Sequence, residues 1–282
     1  MDKSWTYASA VDGLPIAVYD WHATAPKAVV AISHGAAEHA LRYDRFARAL
    51  NTAGFTVRAP DQRGHGASPG PKGLGDFGEG GWDGLVADIG QLIALTRRQY
   101  PALPVVLFGH SMGAAACRHF APLGSDTIDA LILSGTGVRE PLKEGEKPPN
   151  QNAAFEPGRT GYEWLSRDEA EVDKYVADPL CGFEKQQVKV AGSRANLSVL
   201  ADPEQHRKIR SDLPVLLVAG DADPINRNLE GLHTLERWWR AAGVMRIDRL
   251  YYQGGRHEML NEINRDEVTR DIIAWTRKTL GV

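Results

Sequence analysis

Short runs of β-branched and other apolar residues recur along the chain, each followed by a longer stretch with the mixed apolar and polar positions of a helix. Residues 28–33 (AVVAIS), 55–59, 105–108, 128–134 and 215–219 are apolar almost throughout, the pattern of parallel strands covered by helices on both faces. A sixth strand is expected at 249–252. Helical patterns fill 42–53, 84–100, 114–120, 226–242 and 267–280, with Asn226 placed to cap the fourth of these and Gly243 to end it. Ahead of the first buried run, residues 5–21 carry mixed positions around Asp12-Gly13, a hairpin turn signal, and read as an antiparallel pair at the sheet edge. The pattern predicts an α/β fold with a mostly parallel central sheet flanked by helices.

One stretch breaks this rhythm. From 138 to 212 no buried strand is expected, and charged residues alternate with prolines, glycines and scattered aromatics. The reading is a cap (lid) of residues 138–212 inserted into a core formed by 1–137 and 213–282. Its first part, 139–161, holds Pro141, Pro148, Pro149 and Pro157 and favours a loop. Its second part carries a helix over 166–176, with Ser166 and Glu169 spaced as a capping box.

Composition narrows the function classes. With 43% hydrophobic residues among 282, the chain can bury a large core. The net charge of -3 comes from 33 basic and 36 acidic residues without a basic block, so nucleic acid is excluded as a partner. No uninterrupted run of eighteen apolar residues occurs and residues 1–27 lack a secretory pattern, so the expected location is cytoplasmic. The only cysteines, Cys117 and Cys181, are too few for a disulfide framework and read as buried thiols. No histidines show metal-site spacing and no G-x-G-x-x-G follows a strand, so no metal and no cofactor are expected.

The chemistry concentrates in Gly109-His110-Ser111-Met112-Gly113, which follows one predicted strand and leads into the small residues Ala114 to Ala116. In this G-x-S-x-G context a strand turns sharply into a helix and presents the serine hydroxyl at the sheet edge. Ser111 is therefore the expected nucleophile. A serine needs a base and a group to orient that base. His257 follows the last strand, in Gly254-Gly255-Arg256-His257-Glu258. Asp221 and Asp223 follow the 215–219 strand, so the order Ser, Asp, His is met, but spacing leaves the two aspartates unresolved. The oxyanion donors expected of such a site are the backbone N–H groups of Met112 and Ala36, the latter in His34-Gly35-Ala36 after the 28–33 strand. His34 reads as a brace for that loop and His65 as a brace for the glycine-rich 61–68 segment. His39, His110, His119, His206 and His233 read as structural or solvated.

His34 to His39 (HGAAEH), Asp61 to Ser68 (DQRGHGAS) and Gly109 to Gly113 (GHSMG) together resemble the monoacylglycerol lipase and lysophospholipase-like serine hydrolases of the α/β-hydrolase superfamily. The similarity spans nearly the whole chain and extends into the cap, at Ser166-Arg167, Glu171-Val172-Asp173 and Asp178-Pro179-Leu180. It implies the α/β-hydrolase fold with an inserted cap, cofactor-free cleavage of a small acyl ester, the acid at Asp223 through Gly220 to Asp223, the base at His257 and oxyanion donors at Ala36 and Met112. Membrane-active members carry a strongly apolar cap, whereas 139–161 here is charged and proline-rich, which implies at most transient membrane contact through the cap. Leu142, Phe155, Tyr162, Trp164, Leu165, Leu180, Phe183, Leu197 and Leu200 are the apolar residues available to line an acyl pocket. An aminopeptidase-like or other amide hydrolase, a ligand receptor of the same fold, and homodimerisation through the cap stay open as alternatives.

Overall fold

The computed structural model describes residues 1–138, 149–183 and 198–282. Its sheet has eight strands, β1 (Lys3–Ala8), β2 (Pro15–Trp21), β3 (Ala28–Ser33), β4 (Phe55–Pro60), β5 (Val105–His110), β6 (Ala130–Ser134), β7 (Val215–Gly220) and β8 (Ile247–Tyr252), in the order β1-β2-β4-β3-β5-β6-β7-β8. β1 pairs antiparallel with β2, and β2 with β4; every other pairing is parallel. This is the α/β-hydrolase fold. Every residue of β3 to β7 is buried, which is why these strands carry continuous apolar runs rather than alternating ones.

Helices α1 (Asp44–Thr52), α2 (Gly81–Gln99), α3 (Met112–Gly124), α4 (Glu169–Ala177), α5 (Pro203–His206), α6 (Glu230–Ala241) and α7 (Arg265–Leu280) complete the described fold. Successive strand residues point to opposite faces, so Leu107 joins the core under α2, α3 and α6, while its neighbour Phe108 joins the core under α1 and α7. Each large apolar side chain so buried contributes about 1.5–3 kcal/mol relative to exposure. Cys117 and Cys181 are free and buried, as expected. Among the described residues no helix is long and apolar enough to cross a membrane.

Two helix starts differ from expectation. Asn226 does not cap α6, which begins at Glu230 with Leu229 at the N-cap position. Asn226 is wholly buried, and its amide donates to the Gly220 carbonyl (2.8 Å) while its Oδ1 accepts from the Leu229 N–H (2.9 Å). The carbonyl left over at the end of β7 claims the side chain four residues before the helix begins. Likewise Asp168 rather than Ser166 caps α4, accepting from the Ala170 and Glu171 N–H groups. Ser166 instead accepts from Asp168 N–H and donates to the Asn261 carbonyl, tying this segment to the one before α7. Leu142, Leu197, Pro141 and Pro148 lie outside the described residues.

Candidate active site

The parallel strands end along one edge, and the loops leaving β3, β5, β6, β7 and β8 meet there. At the end of β5, Ser111 has φ +52° and ψ −115°, a left-handed conformation that costs a non-glycine residue about 1–3 kcal/mol. Its N–H donates to the Ser134 carbonyl (2.9 Å), which holds the turn against β6. A Cβ on Gly113 would stand 2.1 Å from the Ser33 carbonyl oxygen, so only glycine lets α3 start this close to β3. The strained serine and the glycine after it are one device that lifts a half-buried hydroxyl out of the sheet.

His257, in the loop after β8, is buried, and its Nδ1 lies 3.0 Å from the Asp223 Oδ2. Asp223 is wholly buried and also accepts from the Ile225 N–H (2.8 Å). Asp221 faces elsewhere: its Oδ1 accepts from the Gly254 N–H at 2.7 Å and shapes the turn that leads to His257. Geometry therefore separates the two aspartates that spacing left open. With Nδ1 donating to a carboxylate, Nε2 carries the lone pair, and this buried atom has no hydrogen-bond partner. Ser111 makes no hydrogen bond to it. The His257 ring packs against His110 (centroids 4.8 Å apart) and Trp164 (4.7 Å). Gly135, after β6, has φ +57°, and a Cβ there would come within 3.0 Å of the His257 Cε1.

Met112 opens α3, so its N–H is one of those a helix leaves without an internal partner. The loop after β3 passes beside the same turn: a Cβ on Gly35, the residue before Ala36, would lie 3.2 Å from the Ser111 Cβ. His34 braces this loop, as read from sequence, accepting from Gln62 N–H on Nε2 (2.9 Å) and donating from Nδ1 to the Gly35 carbonyl (2.8 Å). Burial lowers its pKa. His65 is likewise buried against His34, Phe77 and Phe183, and burial brings its pKa down to about 3. Burial and the neighbouring His257 lower His110 to about 4.

Sequence reasoning missed the ionic tie beneath the site. Glu38 Oε1 accepts from the Gly35 N–H (2.5 Å) and the Tyr43 hydroxyl (2.9 Å). Arg42 donates to Glu38 (2.7 Å) and, through both terminal nitrogens, to Glu258 (2.7 and 2.8 Å). Burial would raise the Glu38 carboxyl, but Arg42 with His110 and His34 outweighs it and holds the pKa at about 2. One guanidinium thus links the loop bearing Ala36 to the residue next to His257. The only signal in the sequence was the i,i+4 charge pair Glu38 and Arg42; Glu258 is 216 residues away.

Residues 164–182 meet this edge through backbone contacts: His257 N–H donates to the Trp164 carbonyl, Glu258 N–H to Leu165, and Gly182 N–H to Ala37. Of the apolar residues expected around an acyl pocket, Trp164 reaches His257 and Phe183 reaches His65. Leu165 packs with Tyr162 and Tyr175, Phe155 lies under the Arg256 guanidinium, and Leu180 is exposed. His39, Asp178 and Cys181 bring potential metal-ligand atoms within 4.8 Å of one another, a grouping that the expectation of no metal site did not foresee. His39 Nε2 and Asp178 Oδ2 are bonded to each other there at 2.8 Å.

Residues 24–264 match the family described as serine aminopeptidase, S33. A monoacylglycerol lipase of Mycolicibacterium smegmatis is 30% identical, covering 95% of this chain and 94% of that protein. A monoglyceride lipase homolog of monkeypox virus is 32% identical, covering 89% and 90%. The solved structure of a thermostable carboxyl esterase from Bacillus coagulans, in complex with glycerol, superposes with a TM-score of 0.85 at 26% identity, covering 99% of this chain and 98% of that one. The chain belongs to the serine aminopeptidase, S33 family of α/β-hydrolases, the family it shares with these monoglyceride lipases.

Proposed function

We propose that this protein is a carboxylic ester hydrolase that cleaves monoacylglycerols, lysophospholipids or similar small acyl esters through an acyl-enzyme on Ser111. The observation that carries the reading is the buried Asp223–His257 pair, which leaves an unpartnered Nε2 at the sheet edge where the strained turn presents Ser111. Rotation of the serine hydroxyl toward Nε2 makes the attack possible. Oγ bonds to the ester carbonyl carbon as its proton passes to His257, and Asp223 stabilises the imidazolium. The N–H groups of Ala36 and Met112 receive the oxyanion. His257 then protonates the departing alcohol. Water, deprotonated by the same nitrogen, releases the acid and restores Ser111, so the balance is ester plus water giving acid plus alcohol.

In this reading residues 138–212 are the cap, with Trp164 placing apolar surface beside His257 and Phe183 beside His65. The buried, unpaired cysteines fit a reducing cytoplasmic setting. The names of the most similar relatives favour esters over the amide chemistry in the family's description. The test is turnover of 1-monoacylglycerols and p-nitrophenyl esters of graded chain length beside aminoacyl p-nitroanilides. Ester turnover well above anilide turnover is expected. Anilide turnover in excess supports an aminopeptidase instead, and fluorophosphonate labelling without turnover of either supports a receptor.

A further inference from the structure

Three side chains of different chemistry converge beside the loop that carries Ala36. His39 ends that loop, just before a short 3-10 helix (Ala40–Tyr43), and Asp178 and Cys181 lie in the turn that follows α4. Their ligand atoms, one nitrogen, one carboxylate oxygen and one sulfur, all fall within 4.8 Å of one another, the one such grouping among the described residues. His39 and Cys181 are buried and Asp178 is half-buried. The turn positions its two members: the Asp178 carbonyl accepts from the Cys181 N–H (2.9 Å), and Asp178 Oδ1 accepts from the Leu180 N–H (2.9 Å), which leaves Oδ2 to meet His39 Nε2 at 2.8 Å. The Gly182 N–H donates to the Ala37 carbonyl (2.9 Å), so the backbone holds the two segments together.

Imidazole nitrogen, carboxylate oxygen and thiolate sulfur are the ligand types of zinc, whose bonds of about 2.0–2.3 Å set tetrahedral ligand atoms about 3.3–3.6 Å apart. A zinc ion would part the His39–Asp178 pair by about half an ångström and draw the sulfur in by at most about 1.3 Å. The thiolate disfavours magnesium and calcium, hard cations that take oxygen. Charge fits as well. The nearby Arg42 is neutralised by Glu38 and Glu258 (2.7 Å each), and Arg45 and Lys174 share Glu171 (3.0 and 2.8 Å), while Asp178 and a Cys181 thiolate supply two negative charges for a dication. Burial pushes the Cys181 thiol up to about 12 against the opposing pull of Arg42, so the metal ion takes the place of the thiol proton, which leaves to solvent. A groove of about 280 Å³ opens onto His39 and Asp178 and gives an entry path with room for water.

We propose that His39, Asp178 and Cys181 form a zinc site, with water as the fourth ligand, that fastens the turn after α4 to the loop bearing Ala36. Its ligands come from positions 39 and 178–181, so an ion bound there stabilises the folded chain over the unfolded one. The site uses none of Ser111, Asp223 and His257 and stands apart from the esterase reading.

Cobalt(II) is the probe, because it takes zinc's geometry and reports sulfur ligation through a thiolate-to-metal charge-transfer band in the near ultraviolet. Chelator-stripped protein without a histidine tag should bind one equivalent with that band. Zinc should displace the cobalt, bleach the band and raise the melting temperature. Cys181→Ser should abolish the band and Cys117→Ser should retain it. His39→Gln and Asp178→Asn should each weaken zinc binding by at least about tenfold, read by competition with a chromogenic chelator. Absence of the band in folded wild type, or its survival in Cys181→Ser, overturns the site. Unchanged zinc affinity in His39→Gln or Asp178→Asn overturns the three-ligand set. Circular dichroism checks that each variant is folded. The chain has two cysteines, so the Cys117→Ser titration assigns the sulfur to Cys181 even where Cys181→Ser does not fold. A wild-type melting temperature that zinc leaves unmoved contradicts the site without any variant.

Discussion

At the residue scale, Gly135 places the tightest demand on the proposed base. Its positive φ, and the 2.7 Å and 3.0 Å that would separate an added Cβ from the His110 and His257 rings, leave no room for a side chain. Gly135→Ala is expected to displace the ring and lower kcat by about tenfold or more, with KM little changed and fluorophosphonate labelling slowed in parallel. Wild-type kcat in this variant contradicts the placement. The two aspartates make a sharper comparison. Asp223→Asn should lower kcat by about four orders of magnitude, the scale seen when the orienting carboxylate of such a triad becomes an amide and the histidine takes the wrong tautomer. Asp221→Asn keeps an acceptor for the Gly254 N–H and should stay within about tenfold of wild type. The places of Ser111 in a strained turn and of His257 after the last strand were legible in the sequence, because a turn motif and strand-end spacing mark them. Asp223 was not separable by spacing, because both aspartates follow β7 and only the three-dimensional course of the loop decides which one faces the ring.

At the scale of elements, the parallel strands could be read because they are buried on both faces and so carry continuous apolar runs. The helix starts at 168 and 229 were harder. There the side chains best suited to capping are claimed by other partners, Ser166 by Asn261 and Asn226 by Gly220. The Arg42 tie was unreadable for a related reason, since its two carboxylates come from opposite ends of the chain. Arg42→Gln leaves Glu38 and Glu258 buried without their shared cation, which should destabilise the fold by about 3–5 kcal/mol. Arg42→Lys retains the charge but not the two-nitrogen grip on Glu258, and should preserve more stability than it preserves kcat. Equal losses in the two properties argue that Arg42 serves stability alone. Denaturant titration beside steady-state kinetics reads both.

At the scale of the molecule, three buried histidines around the site set how stability responds to acid. Burial first, and a neighbouring histidine second, holds His65 at about 3 and His110 at about 4, and burial lowers His34 against the opposing pull of Glu38 and Asp61. In the unfolded chain each ring takes a proton below its ordinary value of 6.5, whereas the folded protein refuses it until much lower pH. The unfolded state then binds more protons, so stability falls as pH drops below 6.5, by about 1.4 kcal/mol per pH unit for each ring. Below 4.5 the depressed Glu38 carboxyl adds to the same trend. Unfolding midpoints measured from about pH 7.5 down to about pH 5 should therefore decline steadily once the pH passes below the ordinary histidine value, and a flat profile contradicts the buried neutral rings.

The central claim is that Ser111 is activated by His257 under the control of Asp223. Fluorophosphonate labelling, followed as a rate and mapped by peptide mass in wild type, Ser111→Ala, Asp221→Asn and Asp223→Asn, tests it most directly. The account predicts a single adduct on Ser111, none in Ser111→Ala, near-normal labelling in Asp221→Asn and a collapse of the rate in Asp223→Asn. An adduct on another residue, or a labelling rate untouched by Asp223→Asn, contradicts it.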